Sequence, residues 1–157
     1  MGTNKTHKDT AGVIAPPPLI YAAFGLAGIG LNAAFPLALT PPWSEAVGIA
    51  CIALSLIPGP WALINMLRAG VNPEPSHPTS ALVTSGPFRF TRNPIYLTFT
   101  LFFFGIALLT RNAWLLAMLI PLLAVMHFGV IFREERYLAR KFGLAYTAYK
   151  EQVRRWV

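Results

Sequence analysis

Cysteine occurs once in this sequence, at Cys51 inside an apolar stretch. No intrachain disulfide and no cysteine-based zinc site can form, and the residue reads as a small buried hydrophobe. Charge is scarce as well. Only 12% of the 157 residues are charged, against about 25% in an ordinary soluble domain, and the mean hydropathy of +0.52 places the chain among membrane proteins. A Gly-x-Ser-x-Gly elbow, a P-loop and a His-Glu-x-x-His pair are all absent, so hydrolase, nucleoside triphosphatase and zinc-protease chemistry lack support. Gly28-Ile29-Gly30-Leu31-Asn32-Ala33 has the spacing of a dinucleotide fingerprint, but it lies within an apolar run and not at a strand-to-helix turn. With Gly25 and Ala34 it reads instead as a small-residue face for close helix packing.

What is present is organised by apolar runs. Four of them, Pro18 to Leu39, Glu45 to Leu67, Tyr96 to Thr110 and Ala113 to Phe132, predict an all-α membrane protein with four transmembrane helices. The third run would reach only about 22 Å at 1.5 Å per residue, so it must be short or sunk among the others. Thr110, Arg111 and Asn112 leave a tight turn, which makes the third and fourth helices an antiparallel hairpin, and Pro121 is expected to kink the fourth. Residues 1–15 are polar and read as a disordered cytoplasmic tail with no cleavable signal peptide, followed by a single membrane domain over residues 16–157. Leu138, Phe142, Tyr146, Tyr149, Val153 and Trp156 recur at spacings of three and four. They predict an interfacial amphipathic helix over about residues 133–156, interrupted near Gly143.

Basic residues outnumber acidic ones by 13 to 6, and seven of the 13 (Arg133, Arg136, Arg140, Lys141, Lys150, Arg154 and Arg155) come after the last apolar run. That juxtamembrane placement suits anionic lipid headgroups at the cytoplasmic face and not nucleic acid. Four spans would put twelve of the 13 on one side with both termini, leaving Arg111 opposite. The positive-inside rule makes that side cytoplasmic, and a bacterial inner membrane is the expected location.

Few polar groups remain for chemistry. His127 lies inside the fourth run, either as a functional ionisable group or as a hydrogen-bonded packing residue. Asn65 reads as a packing or capping amide. Gly86 to Tyr96 and Glu134-Glu135 fall at the same end of the predicted hairpin, where carboxylates need cations or donors. Arg89, Arg92, Glu134 and Glu135 could pair with each other as interfacial anchors, or together hold a zwitterionic ligand.

Leu82-Val83-Thr84-Ser85-Gly86-Pro87-Phe88-Arg89-Phe90-Thr91-Arg92-Asn93-Pro94-Ile95-Tyr96, then Glu134-Glu135, then Phe142-Gly143-x-x-Tyr146-x-x-Tyr149, resemble the isoprenylcysteine carboxyl methyltransferase family over residues 72–155; phospholipid N-methyltransferases are similar. The resemblance implies an integral membrane methyltransferase that takes S-adenosyl-L-methionine at the cytosolic ends of its last helices and a lipophilic small-molecule or lipid acceptor from the bilayer. It implies cofactor contacts at Ser80, Ala81, Leu82 and Val83, and at Phe88, Asn93, Pro94, Ile95, Tyr96 and Glu134. Arg92, His127, Arg133 and Glu135 are the positions expected on the substrate side or in support. In-line transfer from a sulfonium needs positioning and desolvation, so no catalytic triad and no metal are expected. Asn93 stands where the eukaryotic enzymes have histidine, and Val130 aligns with an arginine that pairs with a substrate carboxylate. The acceptor is therefore left open among carboxylate, thiol and amine. Two rival readings stand beside this one. One is a membrane NADPH-dependent reductase of the sterol-reductase type, with Arg89, Arg92 and Arg133 as its phosphate ligands. The other is a non-enzymatic bundle that binds lipid or a partner protein.

Overall fold

A computed structural model describes residues 10–39, 41–74 and 77–156. Most of the tail expected to be disordered, residues 1–9, lies outside the described residues.

Proline decides where several helices begin. Helices α1 (Pro17–Ala34), α3 (Pro58–Arg68) and α4 (Pro94–Leu109) each carry proline in their first two positions. There the missing N–H costs nothing and the fixed φ is already helical. The remaining elements are α2 (Ser44–Ser55), a 3-10 turn at Gly86–Arg89, α5 (Ala113–Val125), a π-helical stretch at Met126–Ile131, α6 (Phe132–Phe142) and α7 (Leu144–Gln152). Among the described residues there is no strand beyond an isolated bridge between Ala38 and Asn112.

Three stretches are long and apolar enough to cross a bilayer: Pro17–Ala34, Ser44–Arg68 and Ala113–Phe142. The fourth apolar helix, α4, has 16 residues and spans about 24 Å. As expected it is sunk in the bundle, where it meets α1, α2, α3 and α5. Gly48 of α2 and Gly105 of α4 make the closest of these approaches. A Cβ on Gly48 would lie 2.6 Å from the Leu109 nitrogen, and one on Gly105 would lie 2.9 Å from the Gly48 carbonyl oxygen. Gly28 likewise admits Leu115 of α5, whereas Gly30 has nothing near it and takes no part in the expected packing face.

Several sequence expectations are corrected. The first helix stops at Ala34 and not Leu39, because Pro36 bars Phe35 from helical geometry (φ −136°, ψ 78°). Leu37 to Leu39 run extended beside the α4–α5 turn, with Leu39 N–H donating to the Arg111 carbonyl at 2.7 Å. The second run is two helices, since Pro58 has no N–H to continue the α2 ladder past Leu56 and Ile57. In the fourth, Pro121 lies within α5, and a π-helical stretch that the periodicity did not foresee follows at Met126–Ile131. Of the expected tail, Gly12 and Ile14 are tied to that stretch and α6: Arg133 donates to the Gly12 carbonyl at 2.8 Å, and Ile14 N–H to Gly129 at 3.2 Å.

The α4–α5 turn is built by Arg111 at φ +53° and by Asn112, whose side chain accepts from Trp114 and Leu115 N–H to cap α5. Arg111 also pairs with Glu45 at 3.0 Å, placing the start of α2 at this end of the bundle. The other end holds the start of α4, α6, α7 and the long loop before α4. There Gly143 (φ +53°) separates α6 from α7 as expected. The apolar stripe beyond it packs on protein, however: Tyr146, Tyr149 and Val153 form a cluster with Leu82, Phe88, Leu138 and Phe142. The helix is also shorter than expected. It is continuous with the fourth span at Phe132 and ends at Gln152.

Candidate active site

The site grows from the first turn of α4. Pro94 starts the helix, which puts Tyr96 in its first turn, buried, with its hydroxyl donating to Glu134 Oε1 at 2.7 Å. Just before the helix, Thr91, Arg92 and Asn93 are held by the end of the chain. Arg92 N–H donates to the Arg154 carbonyl at 3.0 Å, and Thr91 Oγ1 and Asn93 Nδ2 donate to the Arg155 carbonyl at 3.1 and 2.9 Å. The preceding segment is clamped by α7: the Tyr149 hydroxyl donates to the Phe88 carbonyl at 2.7 Å. Gly86 (φ +61°) makes the turn into Phe88, and the Asn65 amide fills the place a Cβ would take. Asn65 itself donates to the Trp61 carbonyl one turn back in its own helix, so the amide packs between α3 and the Gly86 turn and does not cap a helix end.

Two adjoining cavities lie between these elements and α6. One, of about 150 Å³, is lined by residues including Asn72, Phe88, Arg92, Asn93, Pro94, Ile95, Tyr96, Glu134 and Tyr137. The other, of about 110 Å³, has walls that include Ala81, Leu82, Val83, Phe88, Arg92, Asn93, Glu134, Glu135 and Tyr146. Every residue expected to contact a cofactor except Ser80 lines one or both. Among them, the N–H groups of Ala81, Leu82 and Val83 make no hydrogen bond to protein among the described residues. Ser80 does not line either cavity, and its hydroxyl donates to Gly70.

The polar floor is unevenly satisfied. Glu134 accepts from Tyr96 and lines both cavities. Beside it the Arg92 side chain is only 9% exposed; its Nη1 lies 3.1 Å from Glu135 Oε1, off hydrogen-bond alignment, and its Nε and Nη1 have no hydrogen-bond partner. The guanidinium is thus ion-paired with Glu135 while its hydrogen-bonding capacity is only partly used, and a group that lines a cavity in that state suits an anionic ligand. Burial pushes the pKa of the nearby Tyr146 hydroxyl up, with Glu135 adding and Arg92 opposing, so it stays neutral.

His127 and Arg133 lie elsewhere. His127 Nε2 is 3.3 Å from Arg155 Nη1, so it reaches the site only through that residue, and Arg133 is exposed and bound to Gly12. Val130 is fully buried in the main core and lines neither cavity. Sequence reasoning missed Arg155, counted there only as one of the juxtamembrane cations, and read the Tyr146–Tyr149 spacing as a lipid-facing stripe. For the two tyrosines, their place in the third block of the resemblance was the available signal.

A third, apolar groove of about 600 Å³ runs alongside, between Pro17 and Pro18 of α1, Gly59 and Leu63 of α3, and Ile95, Thr98 and Phe99 of α4. It shares Pro73, Glu74, Ile95 and Tyr96 with the first cavity.

A family model described as phospholipid methyltransferase matches residues 43–145, from α2 into α7. No curated protein and no solved structure matches the chain. The family match covers about two-thirds of the sequence, including the loop before α4 and the Glu134-Glu135 pair, and three helices are long and apolar enough to span a bilayer. The chain is an integral membrane protein that belongs to the phospholipid methyltransferase family.

Proposed function

We propose that this protein is an S-adenosyl-L-methionine-dependent methyltransferase acting on a lipophilic acceptor that enters from the bilayer. The observation that carries the reading is that one cavity is lined by both the Arg92 guanidinium, whose Nε and Nη1 have no hydrogen-bond partner, and the Glu134 carboxylate. A zwitterionic amino-acid end fits such a pair, its carboxylate toward Arg92 and its ammonium toward Glu134. The free N–H groups at Ala81, Leu82 and Val83 suit the edge of an adenine, and Phe88 supplies an aromatic wall. When bound, the cofactor supplies an electrophilic methyl group for in-line displacement.

The chain's own part is to position and to exclude water. Tyr96 holds Glu134 in place, and the α7 clamp on Phe88 fixes the loop that closes the cavity. The apolar groove supports a lipid acceptor, because its chain would lie among Leu63, Ile95 and Phe99 while its head reaches the cavity beside Tyr96. With no arginine at Val130 to meet a substrate carboxylate, a thiol or amine acceptor fits better than a prenylcysteine acid. Glu74, at the junction of groove and cavity, and the name of the family both support an amine headgroup. We read residues 16–157 as one domain of four membrane-embedded helical passes. The cavity end, rich in Lys and Arg, would face the cytoplasm of a bacterial inner membrane and meet anionic lipid.

The reductase reading needs Arg89, Arg92 and Arg133 around a phosphate, and only Arg92 lines the cavity. Calorimetric titration of the detergent-purified chain with S-adenosylhomocysteine beside NADPH tests the choice. Binding of the first alone is expected; binding of NADPH alone, or of neither, would overturn the proposal.

A further inference from the structure

The end of the chain carries an arrangement that the cofactor contacts do not use. Beyond α7 the backbone becomes extended at Val153 (φ −121°, ψ 129°), and Arg154 and Arg155 cross the entrance to α4 through the backbone hydrogen bonds to Thr91, Arg92 and Asn93. The Arg155 side chain continues to α6, with Nε 2.9 Å from Glu135 Oε1 and Nη2 2.7 Å from Oε2. One guanidinium thus takes both oxygens of a carboxylate that is 7% exposed. Arg92 lines the first cavity and forms an ion pair with the same carboxylate, Nη1 to Oε1 at 3.1 Å, that is off hydrogen-bond alignment.

Two guanidinium groups therefore serve one carboxylate, and geometry assigns Glu135 to Arg155. Lys150 adds positive field at Glu135 from α7, and His127 faces the outer side of Arg155. Without Arg155 the buried carboxylate would keep Arg92 as its nearest guanidinium partner, and a buried charge left half-compensated pulls strongly on what remains. Arg92, already 3.1 Å from Glu135, would then be drawn into an aligned pair with it and away from a ligand in the cavity.

We propose that Arg155 is a positioning residue: by taking both oxygens of Glu135 it keeps the Arg92–Glu135 contact from closing into an aligned pair, so that Arg92 can receive the carboxylate of the cofactor's amino-acid end. The inference rests on the cofactor reading above and goes beyond it, since Arg155 lines neither cavity.

The test is calorimetric titration of the full detergent-purified chain with two nucleosides, S-adenosylhomocysteine and 5′-methylthioadenosine, which lacks the amino-acid end. Arg155→Ala is expected to weaken S-adenosylhomocysteine by about 10-fold or more while leaving 5′-methylthioadenosine within about two-fold. Adding Glu135→Gln to Arg155→Ala is expected to restore most of the loss, because a neutral amide no longer competes for Arg92. Equal weakening of both nucleosides, or a double variant no better than the single one, would assign Arg155 a purely structural role and overturn the proposal. If the unsubstituted chain binds both nucleosides and Arg155→Ala binds them equally well, the positioning role alone falls. If the unsubstituted chain binds neither, the cofactor reading falls and takes this proposal with it.

Discussion

The Tyr96 hydroxyl donates to Glu134 Oε1 across 2.7 Å, joining the first turn of α4 to the first turn of α6 over 38 positions of sequence. A carboxylate at this depth is oriented by a neutral donor and not by a cation, which leaves its other oxygen for a ligand. Glu134→Gln is expected to weaken S-adenosylhomocysteine binding by about 1.5–3 kcal/mol, the range for a hydrogen bond to a charged group, with the helical circular dichroism unchanged. Tyr96→Phe should cost less, about 0.5–1.5 kcal/mol, since it loosens Glu134 without removing it. Unaltered affinity in the glutamine variant would remove Glu134 from the site.

Tyr149 controls the loop from a distance. Its hydroxyl is the partner of the Phe88 carbonyl, and burial holds its pKa well above the ordinary tyrosine value, so it stays a donor. Tyr149→Phe leaves that carbonyl unpaired, at a cost of about 1–3 kcal/mol to the local structure. Faster amide hydrogen exchange at residues 86–90, with α1 and α5 unchanged, is the expected result.

The α2–α4 contact is a backbone approach and cannot yield to a larger residue. Gly48→Ala would set a methyl 2.6 Å from the Leu109 nitrogen, and an overpacking penalty of about 1–3 kcal/mol should lower the midpoint of thermal unfolding. Cys51→Ala, less than one helical turn away and only partly buried, is the matched control and should leave both the midpoint and cofactor binding close to those of the parent.

Filling the apolar groove should separate acceptor from cofactor. Leu63 lines the groove but neither of the polar cavities. Leu63→Trp is expected to raise the KM for a long-chain acceptor by about 10-fold, as one well-filled apolar contact is worth about 1–3 kcal/mol, and to leave S-adenosylhomocysteine affinity unchanged. An unchanged KM would place the acceptor elsewhere.

Much of this protein is readable from local chemistry. Apolar runs of bilayer length, prolines at helix starts, the Asn112 cap and the Gly143 break depend on neighbours in sequence, and each appears where those neighbours dictate, apart from the breaks at Pro36 and Pro58. The residues that the resemblance marks for cofactor contact, Ala81 to Val83, Phe88, Asn93 to Tyr96 and Glu134, lie in separate blocks of sequence, and the fold brings those blocks to adjoining cavities. Facing and partnership were not legible. The π-helical stretch at Met126–Ile131 accommodates extra residues in the turn, and each one rotates the later residues by about 100° around the axis. No periodicity read through His127 could therefore place Val130, Arg133, Glu134 and Glu135 correctly. Nor could spacing show that Tyr146 and Tyr149 face the loop and not lipid, because either environment rewards the same apolar stripe. Arg155 is the sharpest case. As one cation in a basic tail it is indistinguishable from Arg154, and only the chain's return across α4 sets it against Glu135, where a buried carboxylate needs a partner.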